Sequence, residues 1–181
     1  MKLTSLLLAT LFTVSLSNGF TAAAFAAELT LITNPLVDFA GHKDAVLAMG
    51  KLRSTRVVSE AEFLRMACEP DTVVLDARSN RMFQRLHLKG AVNLSFPDFT
   101  SDTLAGVIPA KTTRVLIYCN NNFTGSPSAF PMKLAPIALN LSTFVALHAY
   151  GYDNVYELGP LLDVKTTRLP LEGLEVPAFA P

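Results

Sequence analysis

Short β-branched and aliphatic runs recur between helical segments along this chain, and that alternation restricts the fold more than any other feature. Thr72 to Leu75, Arg114 to Tyr118 and Asn154 to Leu158 are of strand length and largely apolar, with shorter candidates at Arg56 to Val58 and Ala91 to Leu94. Between them Ser59 to Cys68 reads as a helix: Ser59 and Glu62 have capping-box spacing, and Phe63, Leu64 and Ala67 form an apolar stripe. Asn80 to Leu86 reads as a helical turn or two, and Pro136 to Tyr150 as a helix closed by Gly151. Within that last helix Ile137, Leu141, Phe144, Val145 and His148 follow helical spacing toward a core. Strands alternating with helices imply an α/β domain whose mainly parallel central sheet has helices on both faces. Ligands of such sheets bind beyond the carboxyl ends of the strands. Cys119, directly after Tyr118, occupies that position.

The first 26 residues belong to a different category. Lys2, the apolar stretch LLLATLFTVSL and the small residues Ala22 to Ala24 and Ala26 read as a secretory signal peptide cut after Ala26. Ser15, Ser17, Asn18 and Gly19 interrupt the apolar run well short of the roughly 20 residues that span a bilayer. The expected product is exported, periplasmic in a bacterium, and not membrane-embedded after processing. The bacterial setting is an assumption, because Asn93, Asn122 and Asn140 also sit in N-x-S/T sequons. The 155 residues left after removing 26 of 181 make one domain with room for a core. Fifteen basic and fifteen acidic side chains, with no basic block, argue against nucleic acid and anionic membrane as partners. The expected divisions are a signal peptide at 1–26, an extension at 27–55 packing as an added strand and helix, the main domain at 56–168, and a loose Pro-rich tail at 169–181.

Two cysteines in an oxidising compartment raise the question of a disulfide, but nothing in the sequence brings Cys68 and Cys119 together. Cys68 reads as a small apolar filler near a helix end. Cys119 instead opens the polar loop NNNFTGSP.

The stretch VLDARSNRMFQRLHLKGAVNL, Val74 to Leu94, resembles the signature of rhodanese-type sulfurtransferases: a strand ending in Asp-x-Arg, an aromatic, a His, then Gly-Ala and Asn. Asp76, Arg78, Phe83, His87, Gly90, Ala91 and Asn93 are the matching positions, and the strand ending in Cys119, the Tyr150-Gly151-Tyr152 turn and the strand VYEL follow in the family's order. The resemblance covers residues 56 to 163. It implies a chain that turns around Cys119 so that backbone N–H groups point at its sulfur, favouring thiolate over thiol and receiving an anionic substrate with the same groups. It also implies the chemistry: the thiolate attacks a sulfane sulfur, becomes a persulfide and passes that sulfur to a thiophilic acceptor.

The residues of the loop fit this in part. Ser126 followed by Pro127 reads as an N-cap with proline at N1, starting a helical turn there. Gly125 offers a positive φ, and Asn120, Asn121 and Asn122 tolerate left-handed backbone and supply side-chain amides. Phe123 and Thr124 complete the expected substrate-binding loop, and Cys119 is expected to titrate below an ordinary thiol. A plain solvated turn is the competing reading of the same asparagines.

Two departures qualify the resemblance. The loop holds no arginine or lysine, and Gly125 stands where the phosphatase relatives' Cys-x5-Arg has its cation, so phosphoryl transfer lacks its clamp. The segment Phe130 to Asn140 is an apolar insertion, broken by Pro131 and Pro136, that reads as a wall or lid over the thiol or as a gap filler. Lys133, within it, is the first cation to follow the loop in sequence. Arg81 and Arg85 share a helical face and are candidates for the missing positive field, while Asp76 and Arg78 read as loop-holding residues and His87 and His148 as structural. His42, His87 and His148 show no metal-ligand spacing with the cysteines, and no metal or cofactor is expected. The expected function is sulfur transfer through Cys119 from a small sulfane-sulfur donor or a persulfidated protein, with thiosulfate a poor donor. The alternative is a catalytically weak binding or sulfur-carrier module.

Overall fold

The three long apolar runs become the middle of one parallel sheet. A computed structural model describes residues 34–176; the signal-peptide reading, the expected strand of the extension and the last five residues fall outside them. Strand β1 (Val57–Val58), β2 (Thr72–Asp76), β4 (Val92–Asn93), β5 (Arg114–Tyr118) and β7 (Val155–Leu158) assemble in the order β1-β7-β5-β2-β4, with every neighbouring pair parallel. Strand β5 lies at the centre because it is apolar on both sides. Val115 and Ile117 point to one face and Leu116 and Tyr118 to the other, and all four are buried. The register pairs Asp76 with Tyr118, so the carboxyl ends of β2 and β5 stand side by side with Cys119 next in the chain.

Helices cover both faces, as the strand pattern requires. On one, Phe63 and Met66 of α2 (Glu60–Ala67) pack with Leu116, Tyr118 and Leu158. On the other, Leu104 of α4 (Ser101–Val107) and Phe144 and Leu147 of α5 (Leu139–Ala149) pack with Leu75, Val115 and Ile117. The extension supplies α1 (Phe39–Ser54), whose Met49 and Leu52 join this second cluster. Helix α4 escaped the sequence reading, although Thr100 and Thr103 form a reciprocal capping box at its start. No helix among the described residues is long and apolar enough to cross a membrane.

Two expectations are corrected. The helix expected from Pro136 begins at Leu139 instead: Ala135–Ile137 form a 3-10 turn, and Ala138, with φ −56° and ψ 133°, is extended between the two. Ile137 consequently falls outside the helix and is exposed rather than packed in the core. The tail is docked through Val176, not loose. Beyond α3 (Asn80–Arg85), strand β3 (His87–Leu88) carries an open edge, and β9 (Leu171–Glu172) pairs with it antiparallel while Leu169 is buried. At Gly173 a side chain would stand 2.5 Å from the Arg85 carbonyl oxygen, so only glycine lets the tail run this close to α3.

Candidate active site

Three residues at the ends of β2 and β5 make a closed buried network. Arg78 donates from Nε and Nη2 to the Asp76 carboxylate, at 2.9 and 2.5 Å, from Nη2 also to the Leu86 carbonyl, and from Nη1 to the Ala129 carbonyl. Tyr118 donates its hydroxyl to Asp76 at 2.5 Å and accepts the Leu88 N–H at 3.1 Å. The guanidinium also stacks over the Phe130 ring. With each of its three guanidinium nitrogens engaged and 2% exposure, Arg78 pins the loop after β2 to the segment beyond Cys119 and to the end of α3. Asp76 and Arg78 are scaffold, the role the sequence assigned them.

Cys119 is 1% exposed. It opens a 3-10 turn over Asn120–Asn122, in which the Asn121 and Asn122 side chains bond to protein groups. Asn121 donates its N–H to the Cys119 sulfur at 3.4 Å, Asn122 Oδ1 accepts the Cys119 N–H at 2.8 Å, and Asn122 Nδ2 donates to the Leu158 carbonyl at 2.8 Å. From there the chain leaves the sulfur. Strand β6 (Phe123–Thr124) pairs with β8 (Leu162–Asp163), Gly125 turns at φ +87° against Asp163, and the Ser126 carbonyl accepts from Ala129 and Phe130 in one isolated turn. The helical turn expected at Ser126 does form, closed by the Phe130 N–H, but it stops before Pro131 and lies where β6 has already carried the chain away from the sulfur. Phe123 is buried in the core, Thr124 and Gly125 lie against β8, and neither they nor Ser126 line the pocket beside Cys119.

The helix N-terminus that meets the thiol is that of α5. Its N-cap position, Ala138, offers no side-chain acceptor, so the leading amides are free to serve another group. Burial pushes the Cys119 thiol above the ordinary cysteine range, the N–H groups of Asn121, Asn140 and Leu139 pull it down, and the Glu157 carboxylate pushes it up. Only the Asn121 amide closes a hydrogen bond of ordinary geometry; the other two act as aligned dipoles at the helix start. The expectation of a lowered pKa is thus reversed in this closed arrangement, where dehydration outweighs the amides.

Cys119 borders a pocket of about 280 Å³ walled also by Asn121, Asn122, Asn140 and Glu157. Glu157, nearly buried, is held by Arg53 of α1 through both oxygens, Nε to Oε2 at 2.7 Å and Nη2 to Oε1 at 2.6 Å. Asn140 Nδ2 bridges Glu157 Oε1 and Asn122 Oδ1 at 3.2 and 3.1 Å, while Asn140 Oδ1 is buried without a partner. Arg53, Asn140 and Glu157 were missed by sequence reasoning. The available signal was a lone acidic residue inside the apolar strand VYEL.

A larger cleft of about 450 Å³ lies alongside, touching Asn120 and lined by Arg78, Arg81 and Lys133 but not by Cys119. Arg81 and Lys133 are exposed there and make no ion pair among the described residues. Arg85 points elsewhere, bonded to Glu175 of the tail at 2.5 Å. His87 and His148 each bond through Nδ1 to a carbonyl one helical turn back, those of Phe83 and Phe144. Both cysteines are free, and Cys68 is exposed rather than a buried filler, since the end of α2 turns it outward.

A family model described as a rhodanese-like domain matches residues 59–159. Among curated proteins no sequence match was found. Of solved structures, the BH2092 protein from Bacillus halodurans is 18% identical over 78% of this chain and 94% of its own, with a TM-score of 0.48. The rhodanese-like domain of the Alr3790 protein from Anabaena is 19% identical over 70% and 87%, at 0.46. A rhodanese with anions from E. coli is 22% identical over 57% and 99%, at 0.39. With the parallel sheet, the Asp76–Arg78 turn and a cysteine at the end of the central strand in place, and more than half of the sequence matched, the chain belongs to the rhodanese-like domain family.

Proposed function

We propose that this protein is a sulfurtransferase in which Cys119 carries a sulfane sulfur as a persulfide. The reading is carried by one observation: the thiol ends the central parallel strand with the Asn121 N–H on its sulfur and the uncapped start of α5 facing it. The Cys119 proton leaves to solvent and the thiolate attacks the terminal sulfur of a donor R–S–SH. A new S–S bond forms, the donor's own S–S bond breaks, and RS⁻ departs with the electron pair. The persulfide anion is then the species that the surrounding amides hold best. Attack of an acceptor thiolate or cyanide on its outer sulfur restores Cys119. Arg53 is engaged by Glu157 and the loop has no cation of its own, so a dianion such as thiosulfate meets no free positive charge in the thiol pocket. The donor is accordingly an organic persulfide or a partner protein's persulfidated cysteine.

Thiocyanate release from cyanide tests this: turnover that depends on Cys119 and is at least about tenfold faster with an organic persulfide than with thiosulfate supports it, and equal turnover contradicts the donor choice. A second reading, a carrier or binding module without turnover, is favoured by the buried and protonated resting thiol. We also propose export to the periplasm, on the pattern of residues 1–26. Protein from the native host should then begin near Ala27, and an intact Met1 to Ala26 segment would exclude export with cleavage.

A further inference from the structure

Helix α1 lies before the stretch matched by the family model, residues 59–159, yet its Arg53 holds Glu157, a residue that lines the thiol pocket. Glu157 places a carboxylate in the same pocket as the Cys119 sulfur. Two negative charges there, carboxylate and thiolate, oppose each other in a poorly hydrated space. The Arg53 guanidinium closes two parallel hydrogen bonds on that carboxylate, at 2.7 and 2.6 Å, and is the cation of the pair. We propose that Arg53 is a positioning residue of the sulfur-transfer site, neutralising Glu157 so that Cys119 can ionise and thereby making α1 a working part of that site.

The proposal deepens the sulfur-transfer reading by naming what permits the nucleophile. The geometry leaves few other groups to do so. The loop contributes Asn121 and Asn122, α5 contributes Asn140 and two amides, and β7 contributes Glu157; among these only Glu157 is charged. Lys133 and Arg81 line the neighbouring cleft, not this pocket. Asn140 links the pair to the loop, since its Nδ2 touches both Glu157 Oε1 and Asn122 Oδ1, and Asn122 in turn holds the Cys119 N–H. Loss of Arg53 therefore acts on the sulfur by two routes, an uncovered carboxylate and a loosened Asn140.

The test measures the pH dependence of Cys119 alkylation in the full chain, resolved by peptide mass spectrometry so that the exposed Cys68 does not contribute. Compared are the native protein, Arg53→Met, Glu157→Gln and the double variant. Arg53→Met should move the Cys119 midpoint to higher pH and slow alkylation about threefold or more at neutral pH, since one pKa unit is a tenfold change in thiolate fraction. Glu157→Gln should move the midpoint to lower pH, and adding it to Arg53→Met should restore the native rate or better. If Arg53→Met does not fold, judged by circular dichroism, Glu157→Gln decides alone. An unchanged midpoint in Glu157→Gln, or a double variant as slow as Arg53→Met, would overturn the proposal. Alkylation needs no sulfur donor, so a shifted profile in a protein that transfers no sulfur would reject the transfer reading while retaining this one.

Discussion

Asn121 and Lys133 are bonded to each other in both directions: Asn121 Nδ2 donates to the Lys133 carbonyl at 2.8 Å, and Asn121 Oδ1 accepts the Lys133 N–H at 2.9 Å. The residue whose amide lies on the Cys119 sulfur thus also pins the apolar insertion against the active-site loop. This gives the insertion a definite part. Phe130 is buried at its start, Asn140 is buried at its end, and Met132 and Leu134 between them face outward. The segment is a wall over the thiol, tied at its middle by one side chain.

Asn121→Ala removes both ties. The two bonds are at least partly exposed, so the stability cost is about 1 kcal/mol. Cys119 alkylation should rise several-fold in this variant as the wall loosens. A protein that loses stability without gaining thiol reactivity would show that the insertion does not limit access.

The two cysteines should separate by exposure. In the reduced native protein Cys68 is expected to react well before Cys119, which is sealed from solvent. The raised Cys119 pKa also fixes the sign of a stability effect. The fold favours the protonated thiol, so its contribution is complete below the unfolded-state value of about 8.5 and is lost as pH rises through the higher folded value. Thermal denaturation from neutral to alkaline pH should show a fall above that point that Cys119→Ser lacks. Identical pH profiles in the two proteins would mean that the thiol is not held protonated.

Arg78→Met strands the buried Asp76 carboxylate and two carbonyls. Breaking a buried pair by removing one partner costs about 3–5 kcal/mol, which in a domain of this size lowers Tm by roughly 10–15 °C. Tyr118→Phe, which deprives Asp76 of a donor and the Leu88 N–H of an acceptor, should cost less, about 1–2 kcal/mol. Calorimetry on both checks the order; a larger loss for Tyr118→Phe would relocate the centre of the network.

Strand positions were legible because burial on both faces writes itself as unbroken apolar runs: β5 was read at its observed bounds, Arg114–Tyr118, and β7 within one residue. The scaffold role of Asp76 and Arg78 was legible because a strand-end Asp-x-Arg has its partners within reach of the backbone. The cradle was not. Ser126-Pro127 does start the helical turn that its local signal announces, but the pairing of Phe123 and Thr124 with β8, a contact far away in sequence, has by then taken the chain away from the sulfur. The amides at the thiol come instead from Leu139 and Asn140, beyond two prolines, where Ala138 gives no capping cue. Arg53 and Glu157 are far apart in the chain, and only the packing of α1 against α5 brings them together. The tail misled for the same reason: its prolines suggested looseness, while the open edge of β3 was invisible without the fold.

Sulfur on Cys119 itself is the most direct observable. The reduced full chain is exposed to an organic persulfide and to thiosulfate, excess donor is removed, and the cysteine-containing peptides are weighed by mass spectrometry with Cys119→Ser as control. Sulfur transfer requires a gain of one sulfur atom on Cys119, larger with the organic persulfide and discharged by cyanide with return of the original mass. No adduct on Cys119 with either donor, or an adduct confined to Cys68, would contradict it.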